Sequence, residues 1–226
     1  MIDVTYVDHM GTDLSVVNAA RVSFGKKSEA LGTSGVEGQP MTPILNDPDK
    51  KLINYLAKHK HMSPFGHAFV TFHVKAPIFV ARQLVKHKFL RWNEISRRYV
   101  SDTPEFYRPE VWRKRSDDKK QGSNGALIDG SKIWDSLVGQ EARDTLLLYT
   151  GMIKQGVCPE QARMVLPQST MTEWYWSGSL DAFADMCILR CKDDTQEETR
   201  QVADQISTAM KDLFPISWEA LTKGYD

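Results

Sequence analysis

Residues 68–77 constrain the fold more than any other stretch of the chain. Ala68, Val70, Phe72 and Val74 alternate with Phe69, Thr71, His73 and Lys75, and a period of two is the period of a strand. Pro64 and Gly66 break the chain before this run, and Pro77 opens a helix after it. Beyond Pro77, Ile78, Ala81, Val85 and Phe89 fall on one helical stripe with Val80 and Leu84 beside it. That stripe turns Phe89 inward and carries the helix into Arg91-Trp92-Asn93-Glu94, its end or a following loop. A strand that passes straight into a helix calls for a sheet with helices packed on it.

The rest of the chain is mostly helical in pattern. A short helix is expected over residues 13–23, ending near Arg21. Asp47-Pro48 supplies an N-cap and a first-turn proline for a helix through about Lys60, with Leu52, Ile53, Leu56 and Ala57 as its apolar stripe. A long helix from about Ser131 to Gln155 places Trp134, Val138, Ala142, Leu146, Tyr149 and Ile153 inward, and Gly156 stops it. Pro159 starts a short helix that ends at Pro167, and Thr170 to Trp176 reads as a strand. Ser179 caps a helix to about Cys191. A last helix carries Val202, Ile206, Ala209, Met210 and Leu213, with Pro215 just past it. Residues 25–47, rich in glycine and proline, and the charged residues 113–125 are expected as surface loops. The fold class is helix-rich α+β with a small central sheet, antiparallel or mixed. At 226 residues, 1–226 suits one domain better than two.

Charge narrows the possible partners. Lys+Arg and Asp+Glu number 29 each, so the formal net charge is zero. Binding nucleic acid by bulk electrostatics usually needs a basic protein, so any anion site must be local. No apolar run is long enough to span a bilayer, and the first residues carry acid where a signal peptide needs Lys or Arg. The three cysteines, Cys158, Cys187 and Cys191, form no Cys-x-x-Cys pair. A reducing cytoplasm is the expected compartment.

The local concentration of charge is Arg82 to Tyr99. It holds Arg82, Lys86, Lys88, Arg91, Arg97, Arg98 and His87 against one acid, Glu94. Forked arginine donors and lysine point charges suit a phosphate-bearing ligand. The competing reading is a solvated basic face with Phe89 and Trp92 in the core. Asn93, Glu94, Ser96 and Tyr99 interleave hydrogen-bonding groups with the cations. Ser96 has no GxSxG or SxxK context to make it a nucleophile.

These residues resemble the flavin-dependent thymidylate synthase family. Its signature is Arg-His-Arg, seven residues, then Ser, usually within Asn-Glu-x-Ser-x-Arg-Tyr. Here Lys86-His87-Lys88 is followed at the same spacing by Ser96 within Asn93-Glu94-Ile95-Ser96-Arg97-Arg98-Tyr99. Lysine thus replaces both signature arginines. His61-Met62-Ser63-Pro64-Phe65-Gly66-His67 is similar to the family's His-x-[Thr/Ser]-Pro-Phe-x-His, with Gly66 where an acid is common. The run Phe72 to Gln83, the turn Ala162-Arg163-Met164-Val165-Leu166-Pro167 and the late Leu189-Arg190 also resemble the family. The segments lie in the family's order across about residues 12–220.

The resemblance implies reductive methylation of dUMP to dTMP by a single catalytic domain. FAD would be reduced by NADPH, and methylenetetrahydrofolate would donate the carbon. Ser63, Lys86, His87, Lys88 and Glu94 would contact FAD, and His61 would lie near the flavin ring. Ser179 and Asp185 stand where the family has asparagine contacts to FAD. Gln83, Ser96, Arg98 and Arg163 would hold dUMP, with Glu94 and the backbone near Ile95 and Arg97. Arg190 would favour ionisation at uracil N3. The implied assembly is a homotetramer with FAD at subunit interfaces. The lysines and the 25–47 insertion suggest a divergent branch, and a viral one would work in host cytoplasm. No cysteine lies in a segment tied to the site, which disfavours the cysteine-dependent class of thymidylate synthase.

Plainer readings apply to several residues. His59, His61, His67 and His73 straddle a helix end, a loop and a strand without a zinc-site spacing, so no metal is expected. Cys187 and Cys191 read as small buried hydrophobes. Trp174, Tyr175 and Trp176 read as core or interface packing before any stacking platform. By pattern alone Arg163 and Arg190 are surface ion pairs. The alternative function is a single-stranded nucleic-acid binding module, with Phe89, Trp92 and Tyr99 as platforms along residues 82–99. Neutral net charge and an inward Phe89 count against it.

Overall fold

The computed structural model describes residues 1–35, 40–117, 123–128 and 131–223. Parts of both expected surface loops, 36–39 and 118–122, lie outside the described residues. In chain order the elements are β1 (Asp3–Met10), α1 (Asp13–Arg21), β2 (Gly32–Ser34), β3 (Thr42–Ile44), α2 (Asp47–Lys58), β4 (Phe69–Pro77), α3 (Ile78–Leu84), β5 (Leu90–Glu94) and β6 (Arg113–Arg115). There follow β7 (Ser123–Leu127), α4 (Ser131–Lys154), α5 (Pro159–Ala162), β8 (Met171–Ser179), α6 (Leu180–Arg190), α7 (Glu197–Leu213) and α8 (Pro215–Thr222). Short 3-10 turns occupy Val22–Phe24, Ser63–His67 and Arg163–Val165.

The alternating run becomes the middle of a four-stranded antiparallel sheet ordered β1-β4-β8-β5. β4 and β8 pair over their whole length, from Phe69 opposite Ser179 to Pro77 opposite Met171. The apolar face of β4, Val70, Phe72, Val74 and Ala76, is sealed from solvent. Trp176 and Trp174 lie opposite Phe72 and Val74 on β8 and are buried with them. Phe183 of α6 meets Phe72 and Trp176 edge-on, with ring centroids 5.3 and 5.5 Å apart. Val202, Ala203, Ile206 and Met210 of α7 complete this core. Each large apolar side chain buried here contributes about 1.5–3 kcal/mol by transfer from water.

The region after Pro77 departs from its sequence pattern. The helix stops at Leu84, and Val85 and Phe89 are exposed rather than inward, Phe89 at 83%. Residues 90–94 are a strand, β5, not a helix end or loop. β8 would otherwise leave one edge of hydrogen-bonding groups unpaired, and β5 fills it with Trp92 opposite Trp176. Trp92 also stacks on Trp174 at 4.2 Å. These tertiary contacts outweigh the helical period. The reversal passes through Phe89 at φ 62, a left-handed conformation that a side chain disfavours. Opposite it, Gly178 admits the close approach of β5, since a Cβ there would meet the Leu90 side chain at 2.2 Å.

Other boundaries also move. The N-cap of α2 is Asn46, whose side chain accepts from the Asp49 amide, rather than Asp47. On α4, Ala142 and Tyr149 are buried, but Trp134 is exposed. β1 and α8 have no counterpart in the sequence reading. β1 is mostly exposed and carries a register shift at Tyr6/Asp8, which erases a clean alternation. α8 restarts at Pro215, with Asp13 of α1 accepting from the Ile216 and Ser217 amides at 3.0 and 2.9 Å. Residues 25–47 hold the hairpin β2–β3, and residues 113–127 hold the hairpin β6–β7. Among the described residues no helix is long and apolar enough to cross a membrane.

Candidate active site

Two clefts carry most of the expected site residues, and they share no lining residue. The first, about 970 Å³, lies between α3, the first turn of α7 and the β6–β7 hairpin. Arg82, Gln83, Lys86, Arg113, Arg190 and Glu198 are among its walls. Arg190 is the last residue of α6, and its Nε donates to His87 Nε2 at 3.0 Å. Burial, aided by the Arg190 charge, holds the His87 imidazole down at about 4. His87 is therefore neutral around pH 7, with Nε2 as the acceptor and the proton on Nδ1. Burial also lowers the Arg190 pKa.

The other side of this cleft is tied to the interior. Gln83 Nε2 donates to Gln196 Oε1 at 2.5 Å, and Gln196 Nε2 donates to Glu198 Oε2 at 3.1 Å. Arg113 Nη2 donates to Glu198 Oε1 at 2.6 Å, joining the hairpin to α7. Tyr107 lines the same wall, and burial with the nearby Glu198 charge pushes its phenol up to about 12. It stays a neutral hydroxyl.

The second cleft, about 430 Å³, is lined by Glu94 to Arg98, Arg163 and the start of β8. Glu94 accepts from Thr172 Oγ1 at 2.6 Å and from Trp92 Nε1 at 3.1 Å. The Ile95 amide donates to the Glu173 carbonyl. Ser96 Oγ accepts from Arg98 Nε at 3.1 Å, so the hydroxyl meets a cation rather than a base. That arrangement fits binding and offers no route to a serine nucleophile. Arg97 is held by Asp102 at 3.0 Å. Arg98 lies over the Tyr99 ring at 4.9 Å. Arg163 is exposed, and its Nε donates to the Glu160 carbonyl at 3.3 Å.

A third group sits at the start of α6. Ser179 is its N-cap, and the Leu180 amide donates to the Ala68 carbonyl, bringing the helix against the turn that Ser63 opens. Ser63, His61 and Asp185 are all exposed. Partial burial and the nearby Asp181 raise the Asp185 carboxyl, with Lys60 opposing. Lys86 and Lys88 are exposed, and neither has an ion-pair partner among the described residues.

Neither Arg163 nor Arg190 forms a surface ion pair among the described residues, contrary to their plain sequence reading. Cys187 is buried with its thiol pushed up by burial, whereas Cys191 is only partly buried and Cys158 is exposed. Trp174 and Trp176 are core, while Tyr175 of the same strand is half exposed. Among the described residues, no group of three or more His, Cys, Asp or Glu is placed to hold a metal. The sequence reading missed Gln196, Glu198, Arg113 and Tyr107. Glu198 looks like any acid in a helix's first turn, so only its burial at 4% exposure singles it out.

A small antiparallel sheet flanked by helices carries two cation-lined clefts, an arrangement suited to anionic ligands. Residues 5–216 match the model of the thymidylate synthase complementing protein family, and the chain belongs to that family. It is 40% identical to a flavin-dependent thymidylate synthase of Thermus thermophilus over 217 residues, which is 96% of this chain and 74% of the relative. It is 37% identical to the enzyme of the same description from Thermosipho melanesiensis over 220 residues, 96% of this chain and 89% of the relative. A similar solved structure is a UMP/dUMP methylase, PolB, from Streptomyces cacaoi bound with 5-Br UMP. It has TM-score 0.82 and 30% identity, and the match covers 98% of this chain and 94% of that one. The same methylase bound with 5-Br dUMP gives TM-score 0.78 over 98% and 95% of the two chains.

Proposed function

We propose that this chain is a flavin-dependent thymidylate synthase that converts dUMP to dTMP, with FAD as cofactor, methylenetetrahydrofolate as carbon donor and NADPH as reductant. The single observation that carries the reading is the family match over residues 5–216 together with the retained Asn93-Glu94-Ile95-Ser96-Arg97-Arg98-Tyr99 segment. Nothing comparable supports the nucleic-acid module. Trp92, one of its three platforms, is already stacked on Trp174. Exposure of Phe89 removes one argument against that module, but the family match decides for the enzyme.

The residues present fit FAD. Lys86 and Lys88 offer exposed, unpaired cations to a pyrophosphate, and Ser63, Ser179 and Asp185 offer hydroxyl and carboxyl groups to its sugar and base. His87 lies between the two lysines in the chain, Glu94 would reach the cofactor from the second cleft, and His61 stands beside the Tyr55 ring as a flat surface for the flavin. When bound, the reduced flavin supplies the hydride. The chain's own task is to bind and orient. Gln83, Ser96, Arg98 and Arg163, with Glu94 and the backbone at Ile95 and Arg97, hold dUMP. Arg190, partly dehydrated and fixed by His87, places positive charge where an N3 anion develops.

Assembly belongs to the same reading. The expected dUMP contacts divide between two clefts, Gln83 and Arg190 in one and Glu94 to Arg98 with Arg163 in the other. A homotetramer in which the second cleft of one chain faces the first cleft of another would join them, with FAD at the subunit junction. α4 exposes Ile133, Trp134, Leu137, Leu147 and Leu148, apolar area of the kind that subunit contact covers. The cytoplasm is the proposed compartment. The deciding experiment is an absorbance spectrum of the purified protein, followed by dTMP formation from dUMP with methylenetetrahydrofolate and NADPH. Colourless protein with salt-dependent oligonucleotide affinity and no dTMP would reject the enzyme.

A further inference from the structure

Gln83 is the end of a directed chain of hydrogen bonds. Arg113 and Gln196 both donate to Glu198, and Gln83 donates to Gln196. The directions follow from the carboxylate. A carboxylate only accepts, and a guanidinium only donates. Gln196 must therefore turn its amide nitrogen to Glu198, which leaves its carbonyl for Gln83. Gln83 must then spend an N–H on Gln196. Its carbonyl oxygen has no protein partner among the described residues and is not sealed off, while the side chain lines the first cleft. A donor at position 198 would reverse both amides and present the cleft with an NH2 group instead.

We propose that Glu198 is a positioning residue: it fixes Gln83 as a hydrogen-bond acceptor in the cleft and so selects an N–H or O–H on the nucleotide. This rests on the reading that the first cleft takes dUMP. That nucleotide has two donors, uracil N3–H and the 3′-hydroxyl. Glu198 need touch neither: it is 4% exposed at the cleft wall, and its two oxygens are taken by Arg113 and Gln196. Its effect is carried entirely by bond direction. A site built around an acceptor rejects a ligand lacking the matching donor, because the acceptor is then left unpaired.

The test uses flavin-loaded protein and three ligands: dUMP, 3-methyl-dUMP and 2′,3′-dideoxy-UMP, each analogue missing one donor. Wild type should bind dUMP and bind at least one analogue about tenfold more weakly, the loss expected for an unpaired acceptor. In Glu198→Gln the end of the chain can donate as well as accept, so Gln83 is free to turn over. Affinity for dUMP should fall about three- to tenfold, KM should rise with kcat little changed, and the discrimination should largely vanish. Gln83→Ala should lose the same discrimination. Arg200→Gln breaks a neighbouring ion pair to Glu197 on α7, and Arg200 lies outside both the cleft lining and the chain of bonds, so this variant should keep both affinity and discrimination. Gln196→Leu, which cuts the chain without touching a charge, should reproduce Glu198→Gln and serves if that variant fails to fold. Discrimination retained in Glu198→Gln or Gln196→Leu, or lost equally in Arg200→Gln, overturns the proposal in favour of simple packing. A wild type that binds no dUMP rejects the functional reading itself, and the proposal with it.

Discussion

The two clefts differ in how far along the chain the partners of their side chains lie. In the first, Gln83 is oriented by Gln196 and Glu198 from the start of α7, and Arg190 by His87, partners more than a hundred residues away in the chain. In the second, Glu94 and Ile95 reach across to Thr172 and Glu173 of β8, but Ser96 is met by Arg98 two residues on, Arg97 by Asp102 five residues on, and Arg163 by the carbonyl of Glu160 three residues back. Local bonds of this kind survive small shifts of the scaffold. The long-range ones require the sheet and α6 to be in place first. The first cleft should therefore be the more sensitive to single changes, and its groups the more sharply oriented.

The largest effect should come from Arg190→Ala. A partly dehydrated cation aimed at developing charge is worth about a hundred- to a thousandfold in kcat, and loss of dTMP formation of that size is expected with an unchanged circular dichroism spectrum. Turnover near wild type would remove Arg190 from the chemistry. For the second cleft, Ser96→Ala should weaken dUMP binding by about fivefold, the value of one hydrogen bond. Trapping a covalent dUMP adduct on Ser96 by mass spectrometry would break this picture, since the hydroxyl faces Arg98 and no base.

The next prediction sharpens the role of His87. Its folded pKa, about 4, lies below its unfolded value of about 6.5. Between those values the unfolded chain binds more protons, so stability falls as pH drops from about 6.5 towards 4. The residue is half-buried, so screening reduces the effect to on the order of 1 kcal/mol. His87→Gln keeps an acceptor for Arg190 but cannot titrate, so urea unfolding should show a shallower acid loss than wild type. Identical pH profiles would mean that His87 is not the group held neutral.

The smallest change is expected at the cofactor. Lys86→Arg with Lys88→Arg should tighten FAD several-fold, about 1 kcal/mol, because guanidinium can form paired bonds to a phosphate where ammonium offers one compact charge. Fluorescence titration reads this directly. Equal or weaker binding would show that the surroundings are matched to lysine.

Sequence and tertiary structure divided the work in a physically sensible way. The strand at 69–77 was legible because each side chain's face follows from its own position, and burial of Val70, Phe72 and Val74 repeats the written alternation. The charged segment was marked by its composition and family resemblance, and the bonds of Ser96 and Arg97 are to near neighbours. β5 was not legible, because residues 85–94 carry a helical period that only the open edge of β8 overrides. β1 was not, because an exposed edge strand needs no alternation. Glu198, Gln196 and Arg113 could not be read at all: each is an ordinary polar residue until the packing of α3, α7 and the hairpin buries one carboxylate and gives its bonds a direction. The sequence by itself determined which residues form the sheet face and the charged segment. The tertiary structure decided which distant groups orient them, because desolvation and hydrogen-bond direction are properties of a place in the fold and not of a residue type.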